Sequence, residues 1–196
     1  MERSSTEVST RSRLSGALFA VGGAGWMTIG VISEFFGPFS GATFVIAELV
    51  WMIIHFTFLA ALIGLLGLAA SRGRLAQSGI WVVLVGRVAY VAGEAHCLSL
   101  GSDFSPLLPI ALLITTIGMI LAGVGVLRAR AGRGGWAVLI VGVYPLLLMF
   151  PLVILGSESL LGIAGWGIVW AVLGVTLIIG RGVESTAGRM PATGTP

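Results

Sequence analysis

Lysine and asparagine are absent from this sequence, cysteine occurs once, and charged residues of every kind fill only 10% of its 196 positions. Each shortage excludes something. Without lysine, no Schiff base to retinal or another carbonyl cofactor can form. A single Cys97 rules out an internal disulfide, a CxxC redox pair and a thiolate metal cage; its ordinary place is as a small apolar filler near a helix end. No GxxxxGK[ST] stretch is present to cradle a nucleotide. The glycine-rich Val21, Gly22, Gly23, Ala24 and Gly25 lie inside an apolar run and follow no strand, so they are packing residues. The charged fraction is far below the roughly 25% of a soluble domain.

What fills the space is apolar: 57% of the residues are hydrophobic. They come in runs of 20 or so, and such a run crosses a hydrocarbon core of about 30 Å as a helix. Cutting at clusters of Gly, Pro, Ser and charge leaves six apolar segments: 14–36, 44–70, 77–98, 106–127, 135–155 and 159–180. The expected fold is therefore all-α: a polytopic bundle of six transmembrane helices over 14–180, in the lipid bilayer. The tails 1–13 and 181–196 are polar and rich in Ser, Thr, Gly and Pro, a composition that does not order itself. The first run is too long for the h-region of a signal peptide and is kept as a span.

Ten of the eleven arginines fall in alternate inter-helix segments: Arg3, Arg11 and Arg13, then Arg72 and Arg74, then Arg128, Arg130 and Arg133, then Arg181 and Arg189. The segments between hold Asp103 and Glu158 instead. By the positive-inside rule the arginine-bearing face, with both termini, is cytoplasmic. Distributed in this way, arginine is a topology signal and not a nucleic-acid footprint. Abundant Ala, Gly and Arg with no Lys suit a GC-rich bacterial genome, which points to the inner membrane of a bacterium. Trp81 and Trp136, with Phe35, Phe36, Phe39 and Phe44, read as interfacial anchors.

Many of the thirty glycines lie within spans. Gly16, Ala20 and Ala24, and likewise Gly167 and Ala171, recur at spacing four and mark small-residue faces on which helices, or two copies of the chain, can pack closely. A faint echo links Trp81 and the later Leu100, Gly101, Ser102 and Asp103 with Trp136 and Leu155, Gly156, Ser157 and Glu158, as a two-helix repeat would.

Ionisable groups inside a span cost about 2.5–3.5 kcal/mol each on insertion scales and so need a reason. Here they are Glu34, Glu48, His55, Arg87, Glu94 and His96, all in the first three helices; the last three read as an apolar scaffold. Glu48 and His55 are seven apart, as are Arg87 and Glu94, so each pair shares a helix face. The second and third helices run in opposite directions, which sets Glu48 level with Glu94 and His55 level with Arg87. Turned inward, these stripes make an outward-opening polar cluster, with Tyr90 beside Arg87 and Glu34 at the outer rim. Arg87 then compensates the carboxylates. Because it stands two turns from Glu94, water or a ligand has to fill the gap.

The bland reading of the same residues is an internal ion pair that fixes helix register and binds nothing. For Glu34 and His96 it is contact with headgroups and water. A metal site is not expected: Glu94 and His96, two apart, do not share a face, no HExxH is present, and Arg87 adjoins the cluster. No cofactor is expected either. The leading functional expectation is binding or translocation of a small solute, proton or ion through Glu48, His55, Arg87, Tyr90, Glu94 and Glu34. Against it stand an intramembrane enzyme acting on a lipid or isoprenoid by carboxylate acid/base catalysis, and a structural or regulatory membrane partner with no chemistry of its own.

Overall fold

The computed structural model describes residues 5–37, 39–102, 104–129, 134–151 and 160–187. They form six helices: α1 (Ser5–Phe36), α2 (Gly41–Ser71), α3 (Arg74–Leu100), α4 (Leu107–Arg128), α5 (Gly134–Tyr144), which runs on through a π-helical turn at Pro145–Met149, and α6 (Leu161–Ala187). No strand occurs among the described residues. Five helices are long and apolar enough to cross a membrane; α5 with its turn is shorter. The chain is an all-α membrane bundle, the form in which every backbone group in lipid finds its partner within its own segment.

Two boundaries differ from expectation. Residues 5–13, assigned to an unfolded tail, continue α1, and α6 runs past 180 to Ala187. Once a helix is nucleated by its apolar part, each added residue gains a hydrogen bond, so polar ends extend it. Asp103, Arg130, Arg133, Glu158, residues 152–159 with the second half of the Trp-to-acid echo, and the ends 1–4 and 188–196 lie outside the described residues.

Each helix packs on its chain neighbours, and α6 returns to α1, so the bundle is a closed ring filled by side chains. The two closest pairings, α1 with α6 and α3 with α4, are made by small residues. Gly16 meets Gly174, Gly23 meets Gly167 and Ala171, and Gly30 meets Ala164; on the other side Gly79 meets Gly118 and Ala122, and Gly125 meets Ala76. The stripe on α1 is not the one that spacing of four suggests, because Ala24 is exposed. Steps of four drift by about 40° each on a 3.6-residue helix, so Gly23 carries the face in place of Ala24. Gly16, Gly23, Gly167 and Gly174 pack within the chain, as do Ala20 and Ala171. The aromatic anchors divide: Trp81 and Trp136 face outward at 54% and 60% exposure, and Phe35 and Phe36 are exposed, whereas Phe44 is buried.

The π-helical turn in α5 opens on Pro145. Pro145 has no N–H, so the carbonyl four residues earlier, that of Val141, loses its helical partner. The indole N–H of Trp166 on α6 donates to that oxygen at 2.9 Å, and the Tyr144 hydroxyl donates to Gly162 O at 3.2 Å. A proline on one helix thereby fixes the orientation of a tryptophan on the next.

Two predictions follow from the packing. A Cβ at Gly23 would collide with the backbones of Gly167 and Ala171, so Gly23→Val should lower the melting temperature in mild detergent by an amount equivalent to about 1–3 kcal/mol of overpacking, while Ala24→Val leaves it unchanged. Trp166→Phe should cost about 1 kcal/mol for the lost hydrogen bond, and much less beside Pro145→Ala, where a restored backbone N–H takes the carbonyl. A double-mutant cycle showing no coupling between the two positions would refute the link.

Candidate functional site

The centre of the ring is occupied by Arg87 of α3, which is 0% exposed. Five aromatic rings surround its guanidinium, with centroids 4.9 Å away for Trp26, 4.4 Å for Phe58, 5.3 Å for Tyr90, 5.3 Å for Trp166 and 4.6 Å for Trp170. The rings come from α1, α2, α3 and α6. Attraction of about 2 kcal/mol to one desolvated ring is comparable with the insertion cost of about 2.5–3.5 kcal/mol for a charge. A few rings and one hydrogen bond therefore suffice to hold the cation.

That hydrogen bond goes to His55 on α2: Arg87 Nη1 stands 3.2 Å from His55 Nδ1. Nε and Nη2 of Arg87 have no hydrogen-bond acceptor and meet ring faces instead. A guanidinium can only donate, so Nδ1 must accept, and the neutral imidazole then carries its proton on Nε2. Nε2 lies 3.4 Å from Glu94 Oε1, beside the carboxylate but without hydrogen-bond geometry to it. The His55 ring is also stacked on Tyr90, 4.6 Å between centroids at 14°, and edge-on to Trp26, so neither its position nor its tautomer is free to change alone.

Beyond His55, toward the end of the bundle away from the arginine-bearing turns, two carboxylates meet. Ligand atoms of Glu48 on α2, Glu94 on α3 and the Cys97 thiol one turn further along α3 all lie within 4.8 Å of one another, and all three residues are buried. As donors they could hold a cation among them. His55 cannot add a fourth donor while Arg87 keeps the proton on Nε2. The polar chain thus reads Arg87, His55, Glu94, Glu48. Toward the arginine-bearing end the cage is continued by apolar side chains: Phe19 stacks on Trp170 at 5.3 Å, with Leu62, Leu65 and Leu173 buried beside them.

The sequence-derived stripes meet as their depths require, Glu48 beside Glu94 and His55 beside Arg87. Three features differ. Among the described residues Arg87 touches no carboxylate; the His55 ring stands in the two-turn gap. The last three helices are not a mere apolar scaffold, because α6 supplies Trp166 and Trp170 to the cage. Glu34 is engaged elsewhere: its Oε2 accepts the Leu160 N–H at 2.6 Å and so caps the start of α6. His96 is half-buried, its Nδ1 3.1 Å from the hydroxyl of the buried Ser105, which also accepts the Leu107 N–H at the head of α4. The cage residues Trp26, Phe58, Trp166 and Trp170 escaped the sequence reading, although Trp166 and Trp170 at spacing four, level with a charge in mid-membrane, were a usable signal.

No protein-family model, no curated protein and no solved structure matches this chain.

Because His55 is the one acceptor for Arg87 among the described residues, His55→Phe should leave a buried donor unsatisfied and lower stability by about 2 kcal/mol. Adding Arg87→Met should recover most of that loss, since an apolar side chain of similar volume suits the same cage. The check is the melting temperature of the two single variants and the double. A double variant no better than His55→Phe would show that the guanidinium does not depend on the imidazole.

Proposed function

We propose that this multi-pass membrane protein binds a proton, or one small monovalent cation in its place, at the paired carboxylates of Glu48 and Glu94. The observation that carries the reading is the charge balance of the buried cluster. One guanidinium stands against two carboxylates, and His55, held neutral by its contact with Arg87, adds nothing. With both carboxylates ionised, one negative charge is left over in a medium where like charges within a few ångströms repel strongly. One added positive charge relieves it.

Access follows from what surrounds the pair. The caged Arg87 and the apolar layer behind it close the route toward the arginine-bearing end, so exchange takes place with the opposite face, the outer one if the positive-inside rule sets the orientation in the cell membrane. Arg87 in this reading binds no solute anion, being enclosed on all sides; it fixes His55, whose Nε2 stands 3.4 Å from Glu94. Passage across the membrane requires the aromatic cage to part. The intramembrane-enzyme alternative draws no support from the cleft of about 380 Å³ between α1 and α2. That cleft is lined by Ile63 and Ser71, and about 22 Å of helix separates Ile63 from Glu48 at 1.5 Å per residue.

Infrared difference spectra of the reconstituted protein across a pH titration test the reading. The expected result is gain and loss of the carboxyl C=O stretching band of one group per chain, abolished by Glu94→Gln and by Glu48→Gln, and retained by Glu34→Gln. Sodium that shifts the titration would identify the competing cation. A titration band that survives both Glu48→Gln and Glu94→Gln would remove the site.

A further inference from the structure

At the arginine-bearing end, between the first turns of α1 and the last turns of α2, lies a cleft of about 380 Å³. Its walls are of two kinds. Arg11, Ser12 and Ser71 bring polar groups, while Ile63, Leu66 and Leu68 bring hydrocarbon. Gly64 and Gly67 also line it, and at these two positions the wall carries no side chain. Among the described residues the lining contains one cation, Arg11. It is also where the positive charge of the chain gathers, with Arg13 next to Ser12 and with Arg72 and Arg74 just past Ser71.

Ser12 is the unexpected member. It is only 4% exposed, yet its hydroxyl has no hydrogen-bond partner. A buried hydroxyl left unsatisfied costs about 1–3 kcal/mol. Its neighbour three residues on, Ser15, shows the contrast: the Ser15 hydroxyl packs against Gly64, whose Cβ position it fills. A polar ligand that accepts from Ser12 gives the hydroxyl its missing partner.

We propose that this cleft is a binding site for an anionic phospholipid, its phosphate held by Arg11 and Ser12 and its acyl chain leaving over the exposed Ile63. The dimensions agree: 380 Å³ is at the small end of ligand pockets, about 300–1,000 Å³, enough for a phosphate and its glycerol but not for the chains. Arginine suits the phosphate because its planar fork can donate two parallel hydrogen bonds. An apolar wall beside a cation at the membrane boundary distinguishes a lipid from a free anion, which has no use for Ile63 or Leu66. The site is separate from the carboxylate pair and does not depend on it.

The test is thermal melting of delipidated protein in mild detergent with added phosphatidylglycerol, phosphatidylcholine or inorganic phosphate. Phosphatidylglycerol should raise the melting temperature at concentrations where the other two do not. Ser12→Ala should melt at or above wild type without lipid, since it discards an unsatisfied group, and should lose at least half of the lipid-induced rise; Arg11→Gln should lose most of it. Equal rises with the two lipids, or an undiminished rise in both variants, would overturn the site. A full rise with phosphate alone would make it an inorganic-anion site and overturn the lipid assignment.

Discussion

A guanidinium buried in hydrocarbon has to be enclosed by something other than water, and the enclosure of Arg87 governs how this bundle is arranged. Rings from four helices converge on it, so the position of one charged side chain constrains α1, α2, α3 and α6 together. Apolar contacts could not do this as sharply. In lipid, hydrocarbon facing hydrocarbon gains little over facing an acyl chain, whereas a cation has a strong preference for ring faces over either. The small-residue pairings of α1 with α6 and α3 with α4 then let the backbones approach closely enough for the rings to reach the centre.

The cage depends on features far from it in sequence. Trp166 presents its face to Arg87 while its N–H is spent on Val141 O, an acceptor released by Pro145. Trp26 and Trp170 have no such acceptor for their N–H groups. Their place is set by packing instead: Trp26 is close to Trp166, 4.7 Å between centroids, and Trp170 to Phe58 at 4.8 Å. The helix interruption in α5 and the charge in α3 are thus parts of one arrangement, although no residue of α5 reaches the guanidinium among the ring contacts.

Much of this was legible in the sequence. Run length and the near-absence of charge specify membrane helices because no other solvent accepts such segments. Seven-residue spacing and antiparallel direction put Glu48 level with Glu94 and His55 level with Arg87, since depth along a helix is a simple function of residue number. What was not legible is rotation about the helix axes and the reach of side chains across the ring. Strict spacing of four picked Ala24, where geometry uses Gly23. Residue numbers set His55 level with Arg87, but they do not show that an imidazole at that level lies between Arg87 and Glu94. Trp166 and Trp170 were passed over because apolar residues in an apolar helix carry no contrast; only a charge at the same depth gives them one.

The two ends of the molecule differ in kind. Below the cage, toward the arginine-bearing turns, the core is apolar, and the polar groups there line a cleft at the boundary. On the other side of the cage, the ionisable groups are the two carboxylates of Glu48 and Glu94, enclosed in protein. The Arg87–His55 contact is what keeps these halves distinct. Were His55 to turn its protonated Nε2 toward Arg87, two donors would face each other. The imidazole therefore keeps one orientation beside Glu94. Any displacement of His55 would strain the single hydrogen bond of the caged cation, so the carboxylate end and the aromatic cage share one structural element.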